Sequence, residues 1–349
     1  MSDAAPFPWP AQSATGVGSM PGTDPDEATA VVLGELPNLP HLPELPARGP
    51  GADLVGRTGA LLVDLPVETT ATGWRLAERR GRDLGRAAGL MSADLDAMEA
   101  ATAGYAGTFK IQLCGPWTLA ASVELTRSVE PALTDAGAVA DLTASLTEAV
   151  AAHVAAVRRR LPGATLLVQL DEPALPGVLA GSVPTASGLR RVPAVDETVA
   201  ADGLRAVLAA ASAPTVVHCC APRVPFSCVT RSGASAVSFD LALLRRADED
   251  AVGELAEAGL GLAIGAVPPV QAAAGGAPVT AADAARDTAR TVVELWRRIG
   301  LPGAALTEQV AVTPACGLAG ASPAGARAVL TRCQAAADVI PELIEEGVR

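Results

Sequence analysis

The sequence predicts an α/β protein built as a single (β/α)8 TIM barrel. Three observations carry this. The chain has 349 residues, more than one typical domain of about 100–150 residues but ordinary for an α/β barrel with extended loops. Short apolar runs that end in Gly, Pro or a polar residue alternate with longer Ala/Leu/Arg/Glu stretches of helical character, the pattern of parallel βα units. The apolar runs number eight. A doubly wound open sheet is the main rival.

In chain order, residues 1–13, with the Pro-rich piece Phe7–Pro10, read as an N-terminal arm, and 14–349 as one catalytic domain. The first strand is expected at Ala14–Met20, followed by a capped helix and a long Pro-rich loop, Leu36–Pro50. The second is placed at Ala60–Leu65 and the third at Phe109–Cys114. A helix over Asp135–Arg160 leads to the fourth strand, Thr165–Leu170, and one over Thr198–Ala211 to the fifth, Thr215–Cys220. The sixth, Ala236–Leu241, precedes a helix over Arg246–Ala258. The seventh strand, Gly261–Val267, precedes a helix over Ala281–Ile299 whose Val292, Val293, Leu295, Trp296 and Ile299 fall at core spacing. Val310–Thr313 is the eighth strand and Pro323–Glu346 the closing helix. In a barrel, chemistry collects at the carboxyl ends of the strands.

Composition narrows the function. A net charge of -12 is the wrong sign for holding a phosphate backbone, so no nucleic-acid partner is expected. No apolar run approaches a membrane span, and the opening MSDAAPFPWPAQS has neither a basic nor an apolar leader region, so a cytoplasmic protein without a membrane partner is expected. Six cysteines in such a chain point to thiols or metal ligands rather than a disulfide framework.

The strongest constellation sits at strand ends. In TVVHCCAP, His218 and Cys220 are two apart, and the period of two sends both side chains to one face. AVSFDLALL ends its strand at Asp240, and VTPACGLAG puts Cys316 just past the last strand. Thiolate, imidazole and carboxylate from separate strand ends suit a catalytic zinc site; a buried histidine with inert cysteines is the plainer alternative for the local HxC signal. LVQLDEPAL ends in Asp171 and Glu172, where a carboxylate either caps the next turn or holds a substrate ammonium. Gly18 and Ser19 end the first strand, as a tight turn or as a backbone N–H and hydroxyl for a substrate carboxylate. Lys110 is the only lysine among 26 basic residues. Trp117 is either core or an apolar wall at the mouth, and Cys114, Cys219, Cys228 and Cys333 are assigned to packing.

The ordered motifs VGSMPGT, KIQLCGPWT, QLDEPAL, HCC, SFDL and TPACGL resemble the catalytic C-terminal barrel of the cobalamin-independent methionine synthase family, within the uroporphyrinogen decarboxylase/methionine synthase-like superfamily. The resemblance implies Zn2+ held by His218, Cys220 and Cys316, with Asp240 where the family has a ligating Glu. It matches Ser19 to a homocysteine-binding serine and Asp171 to the acid that binds the substrate amino group, with Glu44 as a second such acid. Two departures stand out. The family's histidine after the seventh strand has no counterpart in GLAIGAVPPV, and the remaining histidines, His41 in the first loop and His153 in a helix, lie elsewhere. The family's N-terminal barrel also has no counterpart in 349 residues, so the match is to a short core form.

The resemblance thus implies a zinc-dependent homocysteine S-methyltransferase of methionine biosynthesis. Its partners would be homocysteine and a methyl donor, either a methylated corrinoid protein or methyltetrahydrofolate. The N-methyl of a folate needs an acid to leave, whereas a cobalt-bound methyl does not; the absent histidine favours the corrinoid. The rival readings are a zinc alkyltransferase acting on another thiol such as coenzyme M, a metal-free tetrapyrrole decarboxylase, and a non-catalytic zinc-binding partner of a corrinoid protein.

Overall fold

A computed structural model describes residues 7–269 and 280–347. The strands are β1 (Ser13–Ala14), β2 (Val67–Thr69), β3 (Trp74–Leu76), β4 (Thr108–Cys114), β5 (Val123–Glu124), β6 (Thr165–Asp171), β7 (Thr215–Cys219), β8 (Ala236–Asp240), β9 (Gly261–Val267) and β10 (Val310–Pro314). Seven of them form one curled parallel sheet in the order β1-β10-β9-β8-β7-β6-β4. Helices intervene, notably Ala136–Arg160, Glu197–Ala210, Glu249–Glu257, Ala281–Arg298 and Pro323–Gly347. The six sheet strands β4 and β6 to β10 and these five helices agree with the expected ones to within a few residues, and the α/β class stands.

The longer sheet strands are buried on both faces because helices cover one face and the strands' own side chains fill the other. On the concave face, Leu167, Val216, Ala236, Ala263 and Ala311 meet Trp9 and Leu39 in a small cluster at the amino ends of the strands. Trp9, within the stretch read as an arm, is 5% exposed and lies over Gly261, where any Cβ would strike its ring at 2.7 Å. Two residues further along the same strands the inward positions turn polar, with Gln169, His218 and Ser238 all buried. The concave face therefore grades from apolar at one end to ionisable at the other, which places the chemistry.

Three expectations are corrected. Ala60–Leu65 is not a strand: Ala60 caps the short helix Leu54–Gly59, and Leu61 and Leu62 donate back to Thr58 and Gly59. The first strand is regular only at Ser13–Ala14, not Ala14–Met20. The Pro-rich stretch read as loop instead runs beside sheet residues. Leu42 N–H donates to Lys110 O at 2.9 Å and Lys110 N–H to Pro40 O at 2.9 Å, while Glu44 N–H donates to Gly18 O at 3.1 Å and Met20 N–H to Glu44 O at 2.8 Å. A second, three-stranded sheet, β2-β3-β5, was not foreseen.

Candidate active site

The polar end of the concave face is built by register. Asp171 pairs with His218 across β6 and β7, and His218 pairs with Ser238 across β7 and β8, so the three share one rung. Cys220 and Asp240 each lie two residues beyond a member of that rung, on the same face and nearer the mouth. Cys219, between His218 and Cys220, is buried on the opposite, helix-covered side.

His218 is 3% exposed. Its Nδ1 shares a hydrogen bond with Ser238 Oγ at 2.8 Å, whereas its buried Nε2 has no partner. Burial, aided by the Lys110 charge, depresses its pKa to about 3, so the imidazole is neutral. The sulfurs of Cys220 and Cys316 stand 3.4 Å apart at the ends of β7 and β10. The Cys220 hydrogen bond draws the Cys316 thiol down to about 6, against burial and the nearby Asp240 carboxylate, and Cys220 is correspondingly raised.

Two thiolates sharing a tetrahedral zinc with bonds of about 2.3 Å would sit roughly 3.8 Å apart, close to the separation seen. A neutral imidazole whose Nδ1 is held and whose Nε2 is bare is the form a metal takes. The donor set therefore fits zinc. The side chains do not converge fully: among the described residues no group of three or more His, Cys, Asp or Glu is arranged to hold a metal ion. Asp240 in particular turns one oxygen to Ala242 N–H at 2.8 Å, capping the turn at Leu241–Leu243, and is raised in pKa chiefly by burial.

Beside the thiols lies a buried charged group. Asp171 is 5% exposed and accepts from Gln169 Nε2 at 2.7 Å. Burial and the Glu44 charge push its pKa well up, with Lys110 and Gln169 opposing and Cys316 adding to the rise. Glu44, also buried, faces Arg57 Nε at 3.5 Å; Arg57 in turn pairs with Asp94 at 2.5 Å, and Asp94 with Arg48 at 2.7 Å. That ion-pair chain has partners 37 and 46 residues apart and left no local signal in the sequence. Lys110 is fully buried, its pKa lowered to about 8 by desolvation despite the attraction of Asp171 and Glu44.

Ser19 lies against the segment after β10: its carbonyl accepts from Leu318 N–H at 2.8 Å, and a Cβ on Gly317 would collide with its hydroxyl. This sets Gly18 and Ser19 beside Cys316. The other carboxylate of the pair, Glu172, does not face the mouth. It accepts from Trp117 N–H at 2.9 Å and from Thr118 N–H and Oγ1 at 2.8 and 2.7 Å, clamping the first turn of the helix Pro116–Ser122. Trp117 is a packing residue, its indole N–H bonded to Ala200 O. His153 is buried in its helix, and His41 is buried on the segment beside Lys110. Of the stretch read as lacking a histidine, Gly261–Val267 is β9, and Val270 lies outside the described residues.

The sequence matches the family described as cobalamin-independent synthase, catalytic domain, over residues 12–339. The chain belongs to this family. Membership makes it an enzyme of the methionine-synthase class, whose members transfer a methyl group to homocysteine. A similar solved structure is that of a B12-independent methionine synthase from Shewanella sp. W3-18-1 in complex with selenomethionine, with a TM-score of 0.61. The two share 11% identity, and the match covers 96% of this chain and 99% of that one; at that identity the likeness is one of fold. Among curated proteins, none matches the chain in sequence. Among the described residues of this synthase-family chain, no helix is long and apolar enough to cross a membrane.

Proposed function

We propose that the chain is a zinc-dependent methyltransferase that moves a methyl group to the thiol of homocysteine to make methionine. The observation that supports this best is the Cys220–Cys316 thiol pair, 3.4 Å apart, with the Asp171 carboxylate buried beside it. His218 Nε2, Cys220, Cys316 and, after a turn of its side chain, Asp240 would hold the ion. When bound, zinc would lower the pKa of the substrate thiol and keep it as a nucleophilic thiolate.

The chain's own residues would do the rest. Asp171 and Glu44 bring two carboxylates into a buried space where the pKa of the first is raised by burial and further by the charge of the second. A substrate ammonium would offset that repulsion and hold Asp171 ionised. Gly18 and Ser19, at the strand end beside Cys316, would take the substrate carboxylate. An α-amino acid held at both ends would then point its side chain at the two sulfurs.

We further infer that the parallel sheet closes into a barrel through Pro40–Glu44, which hydrogen-bonds to Lys110 on one side and to Gly18 and Met20 on the other. In this reading 14–349 form one catalytic unit, into which Trp9 and Ser13 of the preceding stretch are packed, in a cytoplasmic setting consistent with six unpaired cysteines. For the donor we favour a methylated corrinoid, because the sequence has three histidines and none lies in 261–269, where an acid for a folate leaving group is expected. Methyltetrahydrofolate is the competing outcome, and the cobalamin-independent description of the family speaks for it.

X-ray absorption at the zinc edge tests the site. Adding homocysteine to zinc-loaded protein should add one sulfur to the coordination shell; an unchanged shell would overturn the reading.

A further inference from the structure

The single lysine is spent inside the protein, and its bonds join parts of the chain that the proposed reading assigns to opposite ends of the substrate. Lys110 Nζ donates to Val17 O at 2.8 Å and to Gln169 Oε1 at 2.8 Å. Gln169 Nε2 donates to the same Val17 carbonyl at 2.9 Å and to Asp171 Oδ1 at 2.7 Å. Val17 immediately precedes Gly18 and Ser19. One carbonyl, one ammonium and one amide therefore close a triangle, and a fourth bond leads from it to Asp171.

The orientation of the amide follows from the charge. Lys110 has only donors, so it takes Gln169 Oε1 and leaves Nε2 for the two acceptors, Val17 O and Asp171. Turned over, Gln169 would set its oxygen against a carbonyl and a carboxylate and its NH2 against an ammonium. A buried lysine costs desolvation, as the fall of its pKa to about 8 records. Packing alone would favour Leu or Met in the same volume.

We propose that Lys110 and Gln169 are positioning residues that lock the Val17–Ser19 segment and Asp171 at one fixed spacing, and so select an α-amino acid whose carboxylate and ammonium span it. This deepens the proposed function and rests on it. Neither residue needs to touch the reacting sulfur.

The test is equilibrium binding of L-methionine and of 3-(methylthio)propionate, which lacks the amino group, to zinc-loaded protein by calorimetry. The variants are Lys110→Met, Gln169→Met and the double. Wild type should bind L-methionine in preference to the amine-free acid. Each single variant should weaken L-methionine roughly 10- to 100-fold, the loss that goes with charge-assisted buried hydrogen bonds. The double should be little worse than either, because both break one triangle. Binding of the amine-free acid should change far less, so the preference collapses. A purely structural lysine would lower the melting temperature and leave the preference of the folded protein unchanged; that result, from either variant, overturns the proposal. If Lys110→Met does not fold, Gln169→Met, which keeps the charge, decides it. Wild type that binds neither ligand refutes the amino-acid reading itself and this pair with it.

Discussion

Cys220 and Cys316 are 96 residues apart in the chain and their sulfurs are 3.4 Å apart in space, brought together by parallel strands ending at one rim. The two thiols lie just past the ends of β7 and β10, which are separated in the sheet by β8 and β9. Only a strongly curled sheet lets them meet. Replacing either by serine should therefore remove the metal rather than merely weaken it: Cys220→Ser and Cys316→Ser should each lower zinc affinity by at least about 100-fold, since thiolate is the softer and tighter ligand. Elemental analysis after dialysis measures this, and stoichiometric zinc in both variants would show that the pair is not a ligand set.

In the proposed reading, the buried Asp171 would separate homocysteine from other thiols. Asp171→Asn keeps the shape and the Gln169 neighbour but removes the charge. We expect kcat/KM for homocysteine to fall about 10- to 100-fold, mostly through KM, as for loss of a charged hydrogen bond. Activity on coenzyme M, which has no amino group, should not fall in parallel. A chain whose natural substrate is such a thiol would show no effect of this substitution.

Glu172 has a mechanical role. Burial pushes its carboxyl up to about 7, while three donated hydrogen bonds from Trp117 and Thr118 pull the other way. Glu172→Ala would leave those donors unpaired beside a cavity. Stability should drop by about 3 kcal/mol or more, measured by urea unfolding, with zinc content retained in the protein that stays folded. A loss of under about 1 kcal/mol would contradict the clamp.

His153 gives the molecule an acid-sensitive point in the helix Ala136–Arg160. It is 3% exposed, its Nε2 has no partner, and burial together with the Arg57 charge lowers its pKa to about 4. The unfolded chain, with a pKa near 6.5, takes up the proton first. This contribution is therefore present above about pH 6.5 and is lost as the pH falls through about 4, amounting to about 3 kcal/mol in all. His153→Leu should flatten that part of the stability–pH curve. Melting curves at pH 7.5, 5.5 and 4.5 read it out, and parallel curves for wild type and variant would exclude it.

The strands that are legible, such as Thr165–Asp171 and Gly261–Val267, are buried on both faces over nearly their whole length and so read as mainly apolar runs. Ala60–Leu65 carried the same signal but is a helix end and turn, because a short apolar run records burial and not backbone conformation. Pro40–Glu44 failed in the opposite sense. Its prolines offer no N–H, and its pairing rests on the N–H groups of Leu42 and Glu44, each bonded to a different neighbour. In the site, the shared face of His218 and Cys220 followed from spacing. The partners of Lys110, 93 and 59 residues away, did not, although a lone lysine in an arginine-rich chain had marked the position. Which of Asp171 and Glu172 faces the mouth also depended on where the helix Pro116–Ser122 packs, a tertiary fact.

Methyl transfer to homocysteine on zinc can be followed by supplying zinc-loaded protein with L-homocysteine and, in parallel, methylcobalamin or methyltetrahydrofolate triglutamate, and measuring methionine. Methionine should form from at least one donor, with the corrinoid the better, and be lost on chelation with recovery on adding zinc back. No methionine from either donor, or formation indifferent to chelation, would contradict it.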